Sequence, residues 1–155
     1  MEAEAVFPAA VIRRGSCIIA ACSLGVVHRT ASGYSPRMLP PFDASGHLPC
    51  GIHLATLGEI AARFGHGSPE REVETRELRE FVSWARLHGV KRLIVNGSFV
   101  TNKLAPNDVD IVILPGPTRP GDEYPTVNFE PIAWPFLQIL VAADAADLED
   151  WATQD

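Results

Sequence analysis

Hydrophobic positions along the chain change period several times, and each change marks an element. Leu57, Ile60, Ala61 and Phe64 follow the i, i+3, i+4, i+7 spacing of one buried helix face. Thr56 stands just before this run and Glu59 three residues after it, the spacing of a capping box. A helix is therefore expected over residues 56–64, ended by Gly65 and Gly67. A second helix is expected to open at Ser68 and Pro69, because serine caps well and proline fits a first turn that needs no N–H from it. Its core stripe reads Leu78, Phe81, Val82 and Ala85, and Gly89 closes it. The charged run EREVETRELRE in its first half is read as mostly a solvated outer face.

Beyond Gly89 the period shortens. KRLIVN (91–96), DVDIVIL (108–114) and FLQILVA (136–142) read as strands, the second stopped by Pro115. Pro106 and Asn107 mark the turn before the second strand, and the proline-rich loop PGPTRPGDEYP follows it. The tail ADLEDWATQD reads as a short acidic helix that frays. These elements predict an α/β (α+β) domain over 38–155, a short mixed sheet with helices packed mainly on one face. Residues 1–37 form a poorly defined N-terminal extension without turn-bounded periodicity. Two readings stand for them: an upstream extension to a chain that begins at Met38, or an N-terminal strand or helix that packs on the domain.

The formal net charge of −6 argues against a broad nucleic-acid surface, which needs clustered Lys and Arg, so no long nucleic acid is expected as a partner. A nucleotide is compatible with that charge, since it needs only local positive charge or metal ions. The three cysteines, Cys17, Cys22 and Cys50, show no CxxC spacing, and neither a disulfide framework nor a zinc site is expected. A cytoplasmic location follows as the default. The apolar run CIIAACSLGVV (17–27) is too short to span a bilayer, so no membrane association is expected. Arg13 and Arg14 precede it, as in a signal peptide, but no processing site stands out.

The chemistry concentrates in NGSFVTNKLAPNDVDIVI. In a strand, Asp108 and Asp110 project from one face, about 6.5–7 Å apart along the backbone, while Val109 and Ile111 face the core. Two carboxylates on one face repel, and a divalent cation between them relieves the repulsion. Mg2+ (or Mn2+) suits such an oxygen-only pair, completed by phosphate oxygens. Gly97 and Ser98 directly follow the preceding strand. Glycine lets backbone N–H groups approach a ligand, serine adds a hydroxyl, and successive amides in such a turn favour phosphate. Lys103 is a point-charge candidate for the same phosphate.

The unit strand, Asn-Gly-Ser, nine further residues, then Asp-Val-Asp-Ile resembles the catalytic core of the polymerase-beta-like nucleotidyltransferase superfamily. Together with LPPFDASGHLPCGIHLATLGEIAARFG (39–65), it also resembles a family of uncharacterised bacterial nucleotidyltransferase-like domains. The resemblance implies transfer of a nucleoside monophosphate from a nucleoside triphosphate (NTP) to an acceptor hydroxyl. It implies that Asp108 and Asp110 are catalytic and hold divalent metals, while Gly97 and Ser98 hold the triphosphate. It also implies, for some small relatives, a separate helical protein partner in toxin–antitoxin or defence pairs. The superfamily places a third carboxylate on a neighbouring strand. Here the mid-strand polar residue is Gln138, with Asp144 and Glu130 as the other candidates, and the sequence leaves the three open. If Gln138 holds that position, the implied outcome is a weakened site acting as a nucleotide-binding or protein-interaction module. Larger members carry further helical surface after this strand, so a C-terminally truncated or degenerate domain is a further reading.

Overall fold

A computed structural model describes residues 18–19, 39–49, 52–115 and 134–151. In chain order the elements are β1 (Ile18–Ile19), β2 (Ile52–His53), α1 (Leu57–Phe64), α2 (Pro69–Leu87), β3 (Val90–Asn96), a 3-10 turn (Ser98–Val100), β4 (Val109–Pro115), β5 (Leu137–Val141) and α3 (Ala145–Trp151). The strands form one mixed sheet in the order β2-β1-β3-β4-β5. β3 and β4 run antiparallel, β4 and β5 parallel. Among the described front residues, Ile18 and Ile19 pair with β2, and Ile19 also with Val95 of β3. The rest of the 1–37 segment lies outside the described residues.

Both long helices begin where their caps predict. Thr56 accepts from the Glu59 amide, and the Glu59 carboxylate accepts from the Thr56 amide, so two orphan N–H groups of the first turn are satisfied reciprocally. Ser68 accepts from the Arg71 amide at the head of α2. Gly89, with φ +75°, turns the chain from the end of α2 into β3.

Strand alternation divides the core. Val109, Ile111 and Ile113 of β4 and Leu93 and Val95 of β3 pack with Phe64, Leu78, Phe81, Val82 and Ala85 beneath α1 and α2. On the opposite face Ile94, Val112 and Ala142 pack with Leu148 of α3. Leu148 is fully buried, so the C-terminal helix is docked there rather than frayed. That burial stabilises the docking by about 2 kcal/mol. No described helix is long and apolar enough to cross a membrane.

The expectation that the charged run of α2 faces water holds only in part. Arg71, Glu74, Thr75 and Glu77 are buried. The stripe Leu78, Phe81, Val82, Ala85 continues backwards at helical spacing through Thr75, Glu74 and Arg71. Charged side chains thus occupy core-facing positions, and each needs its own account.

Candidate active site

β3 ends at Asn96, and Gly97 then adopts φ +75°, ψ −160°, a conformation essentially reserved for glycine. The reason is steric as well as conformational: a Cβ on Gly97 would overlap the Asp110 carboxylate. Asp110 stands opposite Asn96 in the β3–β4 ladder, so its side chain lies against the bend as the chain leaves β3. The Gly-Ser turn and the second aspartate of DVD are therefore in direct contact, although thirteen positions separate Gly97 from Asp110.

Asp110 is half-buried, and its pKa is raised, first by desolvation and then by the charge of Asp108. Asp108 lies one residue ahead of β4 and is half-buried. Asp108 is close enough to disfavour charge on Asp110, and a cation between them would relieve that penalty. Gln138 of β5 pairs with Asp110 across the parallel ladder, so Asn96, Asp110 and Gln138 form one row across β3, β4 and β5. Gln138 is exposed, whereas Asn96 Oδ1 is buried without a hydrogen-bond partner among the described residues.

Ser98 opens the 3-10 turn. The amides of Val100, Thr101, Asn102 and Lys103 donate to Gly97 O, Ser98 O, Gly46 O and Thr101 Oγ1 respectively. Those of Ser98 and Phe99 meet no acceptor among the described residues, nor does the Ser98 hydroxyl make a hydrogen bond there. Two consecutive amides without an acceptor among the described residues, behind a left-handed glycine, are a suitable cradle for an anionic oxygen. Lys103 is exposed and acts electrostatically on Glu74. Its backbone oxygen accepts from Arg71.

Asp144 does not join this group. Because β5 runs parallel to β4, Gln138 lies beside Asp110, while Asp144 follows the far end of β5 near Ile113. There its Oδ1 accepts from the Asp147 amide and caps α3. Of the three third-position candidates, Gln138 is the one in register with Asp110, and Glu130 lies outside the described residues. His47 and His53 serve their own loop, hydrogen-bonded to Ser45 Oγ and Pro49 O. Arg63 lies over the Phe42 ring, 4.4 Å from its centroid.

Sequence reasoning missed Glu74. It is 1% exposed, and its Oε2 is buried with no hydrogen-bond partner among the described residues. Its pKa is raised to about 7, chiefly by desolvation; Arg71 lowers it and Asp108 raises it. Glu74 thus approaches Asp108 from the α2 side. The signal that could have found it is the backward extension of the α2 stripe.

Residues 40–143 match the profile of a family of unknown function, DUF6932, over more than half of the chain. The chain belongs to DUF6932. No curated protein and no solved structure matches it. The matched span contains α1, α2, the whole β3–β4–β5 part of the sheet, and the bend with both aspartates. For this DUF6932 chain, function therefore has to be argued from the site.

Its donor set is oxygen-only, consisting of two carboxylates and an amide, which suits Mg2+ or Mn2+ rather than a soft metal. Among the described residues no group of three His, Cys, Asp or Glu side chains is assembled to hold a metal ion. Mg2+ characteristically uses one or two protein carboxylates and draws its remaining ligands from substrate phosphates and water. The pair and the adjoining amide cradle fit that pattern.

Proposed function

We propose that this chain is a metal-dependent nucleotidyltransferase, moving a nucleoside monophosphate from an NTP to an acceptor hydroxyl with release of pyrophosphate. The observation that supports this reading is the seating of the Asp110 carboxylate on Gly97, with Asp108 near enough to act on its charge. In this reading Asp108 and Asp110 hold the cation, and Gln138 offers a neutral oxygen from the neighbouring strand. Ser98, its amide and that of Phe99 orient the phosphate oxygens, with Lys103 as a counter-charge on a flexible stem. The cation, when bound, supplies charge neutralisation at the phosphates and acidifies the acceptor hydroxyl. The contribution of the chain itself is mostly positional, because phosphoryl transfer depends on in-line alignment and electrostatic stabilisation.

One observation favours a second reading. An amide in register with Asp110 carries no charge and cannot act as a base, so the site would bind nucleotide but turn it over weakly. The chain would then act as a nucleotide-binding or protein-interaction module, with a helical protein as the expected partner.

Calorimetry with a non-hydrolysable NTP analogue tests the shared premise. Binding is expected to require Mg2+ and to weaken about a hundredfold in the double variant Asp108→Asn/Asp110→Asn, the worth of two charge-assisted contacts. Binding that ignores Mg2+, survives the double change or is absent from the parent rejects the enzyme and the nucleotide-binding module and leaves only the protein-interaction module. Pyrophosphate release from the parent then separates enzyme from module.

A further inference from the structure

The α2 helix carries a buried guanidinium that the proposed chemistry does not use. Arg71 is 5% exposed. All five of its donors are occupied, and every acceptor is a backbone carbonyl. Nη1 donates to Phe64 O and Phe99 O, both at 2.8 Å. Nη2 donates to Thr101 O at 2.9 Å and to Lys103 O. Nε donates to Lys103 O at 3.1 Å. The guanidinium carbon also lies 5.6 Å from the Phe99 ring centroid. Three of the four acceptors, Phe99, Thr101 and Lys103, belong to the loop that begins at the Gly97–Ser98 bend, and the fourth ends α1.

Burying a guanidinium is expensive, and desolvation lowers the Arg71 pKa; the attraction of Glu74 opposes that only in part, and none of the hydrogen bonds described for Arg71 goes to a carboxylate. Five hydrogen bonds to carbonyl dipoles offset that cost only while the loop keeps its present shape. The loop therefore has one conformation that satisfies the cation. In a trans peptide the carbonyl and the following N–H point opposite ways. Holding the Phe99 and Thr101 carbonyls towards Arg71 therefore turns the Val100 and Asn102 amides away from it. Those amides reach Gly97 O and Gly46 O, which closes the turn on one side and ties it to the 43–47 loop on the other. The chain from bend to Lys103 is thus set from below by Arg71, and the bend is what rests on Asp110.

We infer that Arg71 is the positioning residue of the proposed phosphate cradle, acting through the backbone of residues 99–103 and touching no substrate. The inference rests on the nucleotide-binding reading above. Lysine keeps the charge but reaches at most three acceptors and lacks the planar fork, so Arg71→Lys should not rescue the loop. Glu77, also on α2, accepts from the Phe136 amide at 3.0 Å and so holds the start of β5 instead. Glu77→Gln therefore disturbs the same buried helix face without reaching the loop.

The test combines amide hydrogen exchange with calorimetry on the full chain, for the parent, Arg71→Lys, Arg71→Gln and Glu77→Gln. Both Arg71 variants are expected to speed exchange of the Val100, Thr101, Asn102 and Lys103 amides about tenfold or more relative to β3 and β4, the equivalent of one lost charge-assisted hydrogen bond. They are also expected to weaken Mg2+-dependent binding of the NTP analogue at least about tenfold, while Glu77→Gln does neither. If Arg71→Gln does not fold, Arg71→Lys alone decides. Uniform acceleration across the sheet, or parental nucleotide affinity in a variant with a loosened loop, overturns the positioning role. A parent that binds no nucleotide, with the local exchange pattern intact, overturns the nucleotide reading instead and leaves Arg71 as a loop clamp only.

Discussion

Replacing Glu74 with glutamine should stabilise the protein above neutral pH and leave it nearly unchanged in mild acid. Glu74 is sealed under α2, with one carboxylate oxygen unpartnered among the described residues and Asp108 nearby. Desolvation and Asp108 together outweigh the attraction of Arg71, and the pKa rises from 4.5 to about 7. The folded state therefore holds its proton more tightly than the unfolded chain does. Below pH 4.5 both states are protonated and the group is silent. Between 4.5 and 7 the unfolded chain ionises first, so stability falls with rising pH and levels off above 7. A shift of that size corresponds to about 3 kcal/mol at pH 8. The glutamine amide stays neutral throughout, so Glu74→Gln is expected to lie within about 1 kcal/mol of the parent at pH 4.5–5 and exceed it by about 2–3 kcal/mol at pH 8. Asp110 and Glu77 are also raised, so both proteins keep some residual slope, and the difference between them isolates Glu74. Urea denaturation at the two pH values measures it. An equal difference at both, or a variant less stable than the parent at pH 8, would falsify the burial argument.

Two further substitutions probe the bend and the row beside it. Gly97→Ala forces a side chain into a glycine-only conformation and into the Asp110 carboxylate, with an expected loss of about 3 kcal/mol or more in denaturant unfolding. Gly89→Ala, at similar φ but with open space around it, should lose only about 1 kcal/mol; equal losses at both sites would mean that contact with Asp110 contributes nothing. Gln138→Asp places a third carboxylate opposite Asp110, so without cation the melting temperature should drop by the equivalent of about 0.5–1 kcal/mol. Mg2+ should raise the melting temperature of that variant more than that of the parent, and a variant indifferent to Mg2+ would count against cation binding at this row.

Much of the secondary structure was legible because local rules act alone there. The Thr56–Glu59 box, the Ser68–Pro69 start and the strands around the two aspartates all appear where caps, periodicity and turn residues place them. Asp110 lies within β4, whereas Asp108 precedes its first residue, so strand alternation fixes the direction of Asp110 alone; Asp108 is near enough to raise the Asp110 pKa. In the charged half of α2 the expected outer face holds for Glu70, Glu72, Arg76, Arg79 and Glu80 and fails at three charged positions. Periodicity marks a buried face by its apolar members, and Arg71, Glu74 and Glu77 occupy that face with side chains that ordinarily seek water. Their burial depends on partners supplied from elsewhere in the chain: the loop carbonyls for Arg71 and the Phe136 amide for Glu77. The choice among third-position candidates was equally out of reach. Gln138 and Asp144 share alternation parity, and only parallel pairing of β4 with β5 sets one beside Asp110 and the other at the opposite end as a helix cap.

By itself the sequence determined where helices and strands begin, which strand faces are apolar, and that a Gly-Ser turn and a pair of aspartates flank one loop, because these depend on interactions within a few residues. The tertiary structure alone decided that Gly97 lies under Asp110, that Gln138 completes the row, and that a buried arginine holds the loop between them. Those contacts join residues far apart in the chain, and they arise only once the ladder registers and the docking of α2 are set.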